Sequence, residues 1–592
     1  MSSLAKYLLF GALASLLLVA VACGGDDDED EVTQPQATTA PAPTSAPAPT
    51  AAPAPTSAPA PTAAPAATAQ PAARPTAAPA PTATPAPVTG MPKRGGVFRV
   101  VPSATIGALD PVRNTAFVTR TAMNNAYDWP FGWSAALVSK EQMIDSWSMS
   151  SDSKEYTFTL RDGLMFHDLS PVTSEDVIAS MGRWHTSVGT ASTMWDLGGF
   201  PSLSSVDDKT FKLNLTKPFG LWVSYWGVAQ TFVMPKEAAE ALAPEEVNTN
   251  YMGSGPNRFV EWQPGNLVVF ERFEQYVPRT DPKDGSTGAR IQYLDSVEIV
   301  EIADAATRVA ALQTRQVDQA NGIPGDFYDQ LLAMPDINVQ ILPDMALQAM
   351  ATNKTTAPLT DGRANLAVMW ASDVEETMKA AYGPENLWRL CPAIFFCNSA
   401  WESDIGSEVY FGKDIDKAKQ LWGEAVAATG YGGDPIVLLT NTDYPDLYAR
   451  ALLTKQYLEE MDVEVEFVVT DWASLISRKI ANLDKDPAEG GWHFYQSGCE
   501  SCYDPINDPF INESWNGGWP HQRAQQLRTE FASAGSVEEA MAIVEEIQTI
   551  FYYEWPAVIQ YGFSSWLMPA QSFVKNFQPH KQFNTDGVWF DK

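Results

Sequence analysis

Between Thr33 and Val88 the chain has almost nothing with which to build a core. The segment repeats APAPTSAPAPTAAPAPTSAPAPTAAP nearly in tandem and, its prolines aside, offers no apolar side chain larger than Ala over most of its length. Such a tract cannot offset the entropy of ordering its backbone, so it is expected to stay unfolded. Its prolines favour extended polyproline II at about 3.1 Å per residue, so roughly 60 residues could reach ~180 Å. The acidic run before it, GGDDDEDE, is solvated for the same reason. Any folded body must therefore begin near Pro92.

Residues 1–22 read as a signal peptide. Lys6 supplies a positive start, LLFGALASLLLVAVA an apolar centre, and small residues precede Cys23. The sequence AVAC resembles a bacterial lipobox, with Ala20 where Leu is usual. That resemblance implies lipidation at Cys23, and hence a protein tethered outside the cytoplasm by a lipid and a long linker (residues 23–91).

The remaining 500 or so residues are ample for two or three domains. Net charge is −33. Nucleic-acid binding needs a basic face and is excluded as an expectation. No G-x-S-x-G, H-E-x-x-H or phosphate loop occurs, and the five His are scattered. Neither enzyme, metal site nor cofactor is expected.

The stretch from Tyr156 to Val177, YTFTLRDGLMFHDLSPVTSEDV, alternates at Tyr156, Phe158 and Leu160 as a half-buried strand does. Asp162-Gly163 suggests a turn, LMFHD a returning strand, and Thr173 with Asp176 three residues on a helix start. The wording resembles the signature of the extracellular solute-binding proteins of family 5, which serve peptide and nickel ABC importers. Further resemblances lie at GALDP (Gly107 to Pro111), at Met252 to Val277, at Asp295 to Ile323, at Ala351 to Asp373 and near the C-terminus. Together they cover about residues 93–592.

The family implies an α/β fold of the periplasmic-binding-protein type, class II: two lobes with an extra subdomain in the first. Mapped on this chain, lobe I takes residues 92–139 and 251–346, its subdomain 140–250, lobe II 347–562, and 563–592 return to lobe I. The implied action is capture of a solute by lobe closure and delivery to a membrane permease by a monomer. Peptide is the expected solute. An oligosaccharide is the alternative, favoured by nineteen Trp, and a sensory or surface lipoprotein uncoupled from transport is another.

Four cysteines follow Cys23: Cys391 and Cys397 in CPAIFFC, and Cys499 and Cys502 in CESC. An exported chain meets oxidising conditions, so disulfides are expected, with local pairing preferred over cross-pairing or a four-Cys zinc site. The loop CESCYDPINDPF stands where related peptide binders hold an amine-pairing Asp. That resemblance makes Asp504 and Asp508 candidates, with Tyr503, Gln496, Trp401 and Trp133 as stacking or polar neighbours.

Overall fold

The computed structural model describes residues 91–592, apart from 115, 188, 200, 229–230, 244–245 and 516. The leader, Cys23 and the Ala/Pro/Thr tract lie outside the described residues.

One large sheet runs through the body. Its main path is Val465–Thr470, Ile436–Asn441, Phe494–Cys499, Ile337–Thr352, Val558–Gln571, Gln319–Ala320, Val97–Val101, Ser296–Val300, Leu267–Arg272 and Asn257–Gln263. Two long antiparallel strands, Ile337–Thr352 and Val558–Gln571, join its halves. The first half packs around Phe98, Leu109, Trp129, Phe270 and Val297. The second alternates strand and helix, with Ile436–Asn441 parallel to both Val465–Thr470 and Phe494–Cys499. Its helices are amphipathic and cover the sheet, as an α/β lobe requires. Their starts are set locally: Asp361, Asp373, Asp414 and Asp471 each accept a backbone N–H of the first turn.

The pairing of the two long strands shifts register between Leu342 and Ala346, and Asp344, with φ +51°, sits in that break. Asp tolerates the left-handed region better than most residues. The break interrupts the ladder partway along the two long strands.

A separate four-stranded sheet comprises Ile144–Met149, Glu155–Leu160, Thr210–Asn214 and Ser202–Ser205. Tyr156, Phe158 and Leu160 are buried as the alternation predicts. The returning strand expected at LMFHD is absent. Met165 makes a single bridge to Pro171, and the strand pairs instead with Ile144–Met149 and Thr210–Asn214. A tight loop prevents a ladder there: Phe166 donates to Ser170 O at 2.9 Å, Leu169 adopts φ +74°, and Pro171 has no N–H to give. The helix start holds. Asp176 accepts both the Thr173 N–H and the Thr173 hydroxyl, at 2.8 and 2.7 Å.

Candidate functional site

The C-terminal segment packs against the region around Asp128 to Ser134 and is fixed there by buried charge. Arg290 pairs with Asp128 at 2.8 Å and with Asp586 at 2.6 Å, all three fully buried. A buried pair of this kind needs further hydrogen bonds to offset its desolvation; Arg290 also donates to the Tyr127 carbonyl at 2.9 Å. Nearby, His580 contacts Ser134 O at 3.1 Å, and the Gln582 side chain accepts the Trp133 N–H at 2.9 Å and donates to Gly227 O at 2.8 Å. With both its neighbours bonded to the segment around Trp133 and Ser134, Lys581 is directed at Phe396 and Tyr503. Its ammonium lies 3.0 Å from the centre of the Phe396 ring and 5.3 Å from that of Tyr503.

Those two rings belong to loops that disulfides constrain. Cys391–Cys397 closes the loop carrying Phe396, and Cys499–Cys502 the loop before Tyr503. The local pairing is thus the one present. Cys499, Cys502 and Asp508 form the one metal-ligand cluster among the described residues, but the sulfurs are bonded to each other and offer no thiolate. Phe396 and Tyr503 rings stand 4.9 Å apart, and Trp133 of the first lobe meets Tyr503 edge-on at 4.5 Å.

Charges of both signs surround these rings. Asp344, at the strand crossing, pairs with Arg389 at 3.2 Å, and its other oxygen has no hydrogen-bond partner among the described residues. Burial raises the Asp344 carboxyl above the usual range, against the opposing pull of Arg389 and Lys581. Glu500, in the Cys499–Cys502 loop, is exposed; partial desolvation by the surrounding protein raises its carboxyl, while Arg120 and Lys581 pull it down. Burial pushes the Lys581 ammonium well below its ordinary value, with Asp344 and Glu500 opposing.

Asp504 is placed differently from its neighbour Tyr503. One oxygen accepts the Tyr225 hydroxyl at 2.5 Å and the N–H groups of Ile506 and Asn507 at 2.8 and 3.0 Å; the other accepts the Asn507 amide at 2.7 Å. Asp508 accepts the Phe510 N–H at 2.7 Å, and burial lifts its carboxyl to about 7. Both acids are committed to protein donors. Gln496 donates to Thr454 at 2.9 Å within the second lobe, and Trp401 packs edge-on against Phe531. Of the residues singled out by sequence, the structure brings Tyr503 and Trp133 together. It adds Lys581, Phe396, Asp344, Arg389, Glu500 and Arg120. Lone charges in apolar stretches, such as Arg389 before CPAIFFC, were the one signal for these.

The comparisons agree with this architecture. Residues 140–516 match the model of the bacterial extracellular solute-binding proteins, family 5, middle region. A probable peptide ABC transporter periplasmic-binding protein of Sinorhizobium fredii is 31% identical over 468 residues, spanning 76% of this chain and 86% of that protein. The Escherichia coli dipeptide-binding protein is 24% identical over 361 residues, 57% of this chain and 64% of that protein. Among solved structures, the Listeria monocytogenes ABC transporter substrate-binding protein CtaP superposes with a TM-score of 0.74 at 21% identity, covering 84% of this chain and all of that one. The Bacillus subtilis oligopeptide-binding protein AppA, solved with a nonapeptide, gives 0.66 at 17% identity, covering 85% and 100%. Both share the two-lobed fold. The chain described here belongs to the bacterial extracellular solute-binding proteins of family 5.

Proposed function

We propose that this protein captures peptides between its two lobes and hands them to an ABC importer, tethered to the outer face of the membrane through a lipid on Cys23. Membership of the family makes it an extracytoplasmic, non-enzymatic solute-binding protein of an ABC transporter. The peptide assignment draws on the names of its relatives. It rests above all on one observation: Asp344, Arg389, Glu500 and Lys581 gather around Tyr503 and Phe396 where the lobes meet. A peptide carries charges of both signs and apolar side chains, and can satisfy all of these groups. A neutral oligosaccharide would leave the buried Lys581 ammonium without a counter-charge, which is costly. It would also need an open ring face for stacking, and Lys581 covers that of Phe396.

Closure does its work through differential affinity, since a solute shifts the open and closed states only by binding one of them better. Isothermal titration calorimetry against short peptides and against maltose- and cellobiose-series oligosaccharides tests the assignment. Binding of peptides alone is expected. Saccharide binding without peptide binding would refute it.

A further inference from the structure

The Cys499–Cys502 disulfide has a buried carboxyl group against one of its sulfurs. Asp508 Oδ1 lies 3.0 Å from Cys502 Sγ, and Asp508 is only 2% exposed. A sulfur in a disulfide carries no hydrogen, so it acts as a weak acceptor and never as a donor. An ionised carboxylate would face it lone pair to lone pair. A proton on Asp508 removes that repulsion by bridging oxygen and sulfur. Burial favours the protonated form and lifts the carboxyl to about 7; Asp504 adds to the rise, while the Phe510 and Ile511 N–H groups and Arg528 oppose it. Arg528 forms no ion pair there: it donates to the Pro505 carbonyl at 2.7 Å and to Gln525 at 2.9 Å.

The two sulfurs are not alike. Cys502 is fully enclosed, whereas Cys499 keeps 5% exposure and is followed by the exposed residues Glu500 and Ser501. Cys499 is thus the sulfur that a small molecule reaches, and Cys502 the one that leaves. Leaving as a bare thiolate in enclosed surroundings is costly, because a buried charge has lost its water. Asp508 stands where its proton can pass to that sulfur as the bond breaks. The other disulfide lacks this feature. Among the described residues, no acidic or His side chain completes a cluster with Cys391 and Cys397.

We propose that Cys499–Cys502 is a thiol–disulfide exchange site for small thiols, in which Asp508 handles the proton of Cys502. The thiolate of the small molecule attacks Cys499 Sγ and forms a mixed disulfide with it. The bond between the two cysteines breaks, its electron pair goes to Cys502 Sγ, and Asp508 delivers a proton there. A second thiolate then attacks the small-molecule sulfur of the mixed disulfide. Cys499 departs as a thiolate and takes a proton from water, and water restores the proton of Asp508. Two thiols are oxidised to one disulfide while the protein pair is reduced. Tyr503 follows Cys502 directly and packs on Phe396 and Trp133, so exchange at this pair alters the hold on that ring. The exchange does not depend on which solute the protein carries.

The test treats the oxidised full chain with dithiothreitol between about pH 5.5 and pH 8.5. Acid quenching, alkylation and peptide mapping by mass spectrometry then read the two disulfides separately. Rates are expressed per reductant thiolate, the attacking species. For Cys499–Cys502 this rate constant should fall roughly tenfold or more as pH rises through about 7 and Asp508 loses its proton. Cys391–Cys397 should show no such fall. Asp508→Asn should slow the reduction of Cys499–Cys502 at low pH and flatten its profile. A merely structural role for Asp508 would instead change the rate by the same factor at every pH, and that result would overturn the proposal. A flat wild-type profile would overturn it whether or not the variant folds, as would an equal fall at Cys391–Cys397. A rate that rises with pH would mark reduction through local opening, because ionising Asp508 weakens the fold, and would overturn it too.

Discussion

The phenol of Tyr225 donates a 2.5 Å hydrogen bond to the carboxylate of Asp504, joining segments 279 positions apart. Tyr225 lies on the helix Trp222–Val228, and Asp504 lies just beyond the Cys499–Cys502 disulfide. Burial first, and then the Asp504 charge, raise the Tyr225 hydroxyl well above its ordinary value, so it stays protonated and donating. Asp504 thus serves as a closing contact between protein surfaces, with two backbone amides of its own loop holding it in place.

Removing one side of this contact should loosen the closed state. A buried hydrogen bond to a charged group contributes about 1.5–3 kcal/mol. Tyr225→Phe and Asp504→Asn should each destabilise the protein, and the pair should show a coupling of about 1–3 kcal/mol in a double-mutant cycle by chemical denaturation. Additive single effects would mean that the two residues do not act together.

Gly220 makes a second contact of the same kind. A Cβ added there would collide with the Ala534 carbonyl of the second lobe. Gly220→Ala should therefore disfavour closure by about 1–3 kcal/mol, the usual cost of overpacking. Small-angle scattering should show a larger radius of gyration for the variant than for wild type, with unchanged far-UV circular dichroism. An identical scattering profile would contradict this.

Asp508 should make stability depend on pH. Its carboxyl titrates near 7 in the fold, against 3.8 for the free group, because it is buried with Asp504 nearby, while the Phe510 N–H and Arg528 favour ionisation. A raised folded value means that the unfolded chain ionises first. The contribution to stability is complete below about pH 4 and is lost as pH rises towards about 7. Asp508→Asn lacks this titration but keeps the acceptor for Phe510. The stability of wild type relative to Asp508→Asn should fall over that window by an amount on the order of a few kcal/mol. A difference that stays flat from pH 4 to pH 8 would show that Asp508 is ionised throughout.

Cys23→Ser should release the protein from membranes into the soluble fraction. The motif AVAC before the long Ala/Pro/Thr tract motivates this. Equal fractionation of the two forms would remove the lipid anchor from the account.

What the sequence could reveal was governed by distance along the chain. The strand at Tyr156 and the helix start at Thr173 and Asp176 were legible because their causes lie within a few residues. The false returning strand at LMFHD shares that local character. Its apolar run suits a strand, but nothing in the run shows that Pro171 closes the loop. Tyr503 and Trp133 were legible as single residues but not as a contact. The Tyr225–Asp504 bond spans 279 positions and the Lys581–Met345 contact 236. At such separations no local pattern links the partners, and only the fold brings them together.

The most direct test of the central claim is mass spectrometry of small molecules that co-purify with the protein and are released when it is denatured. The account predicts short peptides, bound one per protein molecule and enriched over the peptide background of the extract. An oligosaccharide or a metal chelate as the enriched species, with peptides at background, would contradict it.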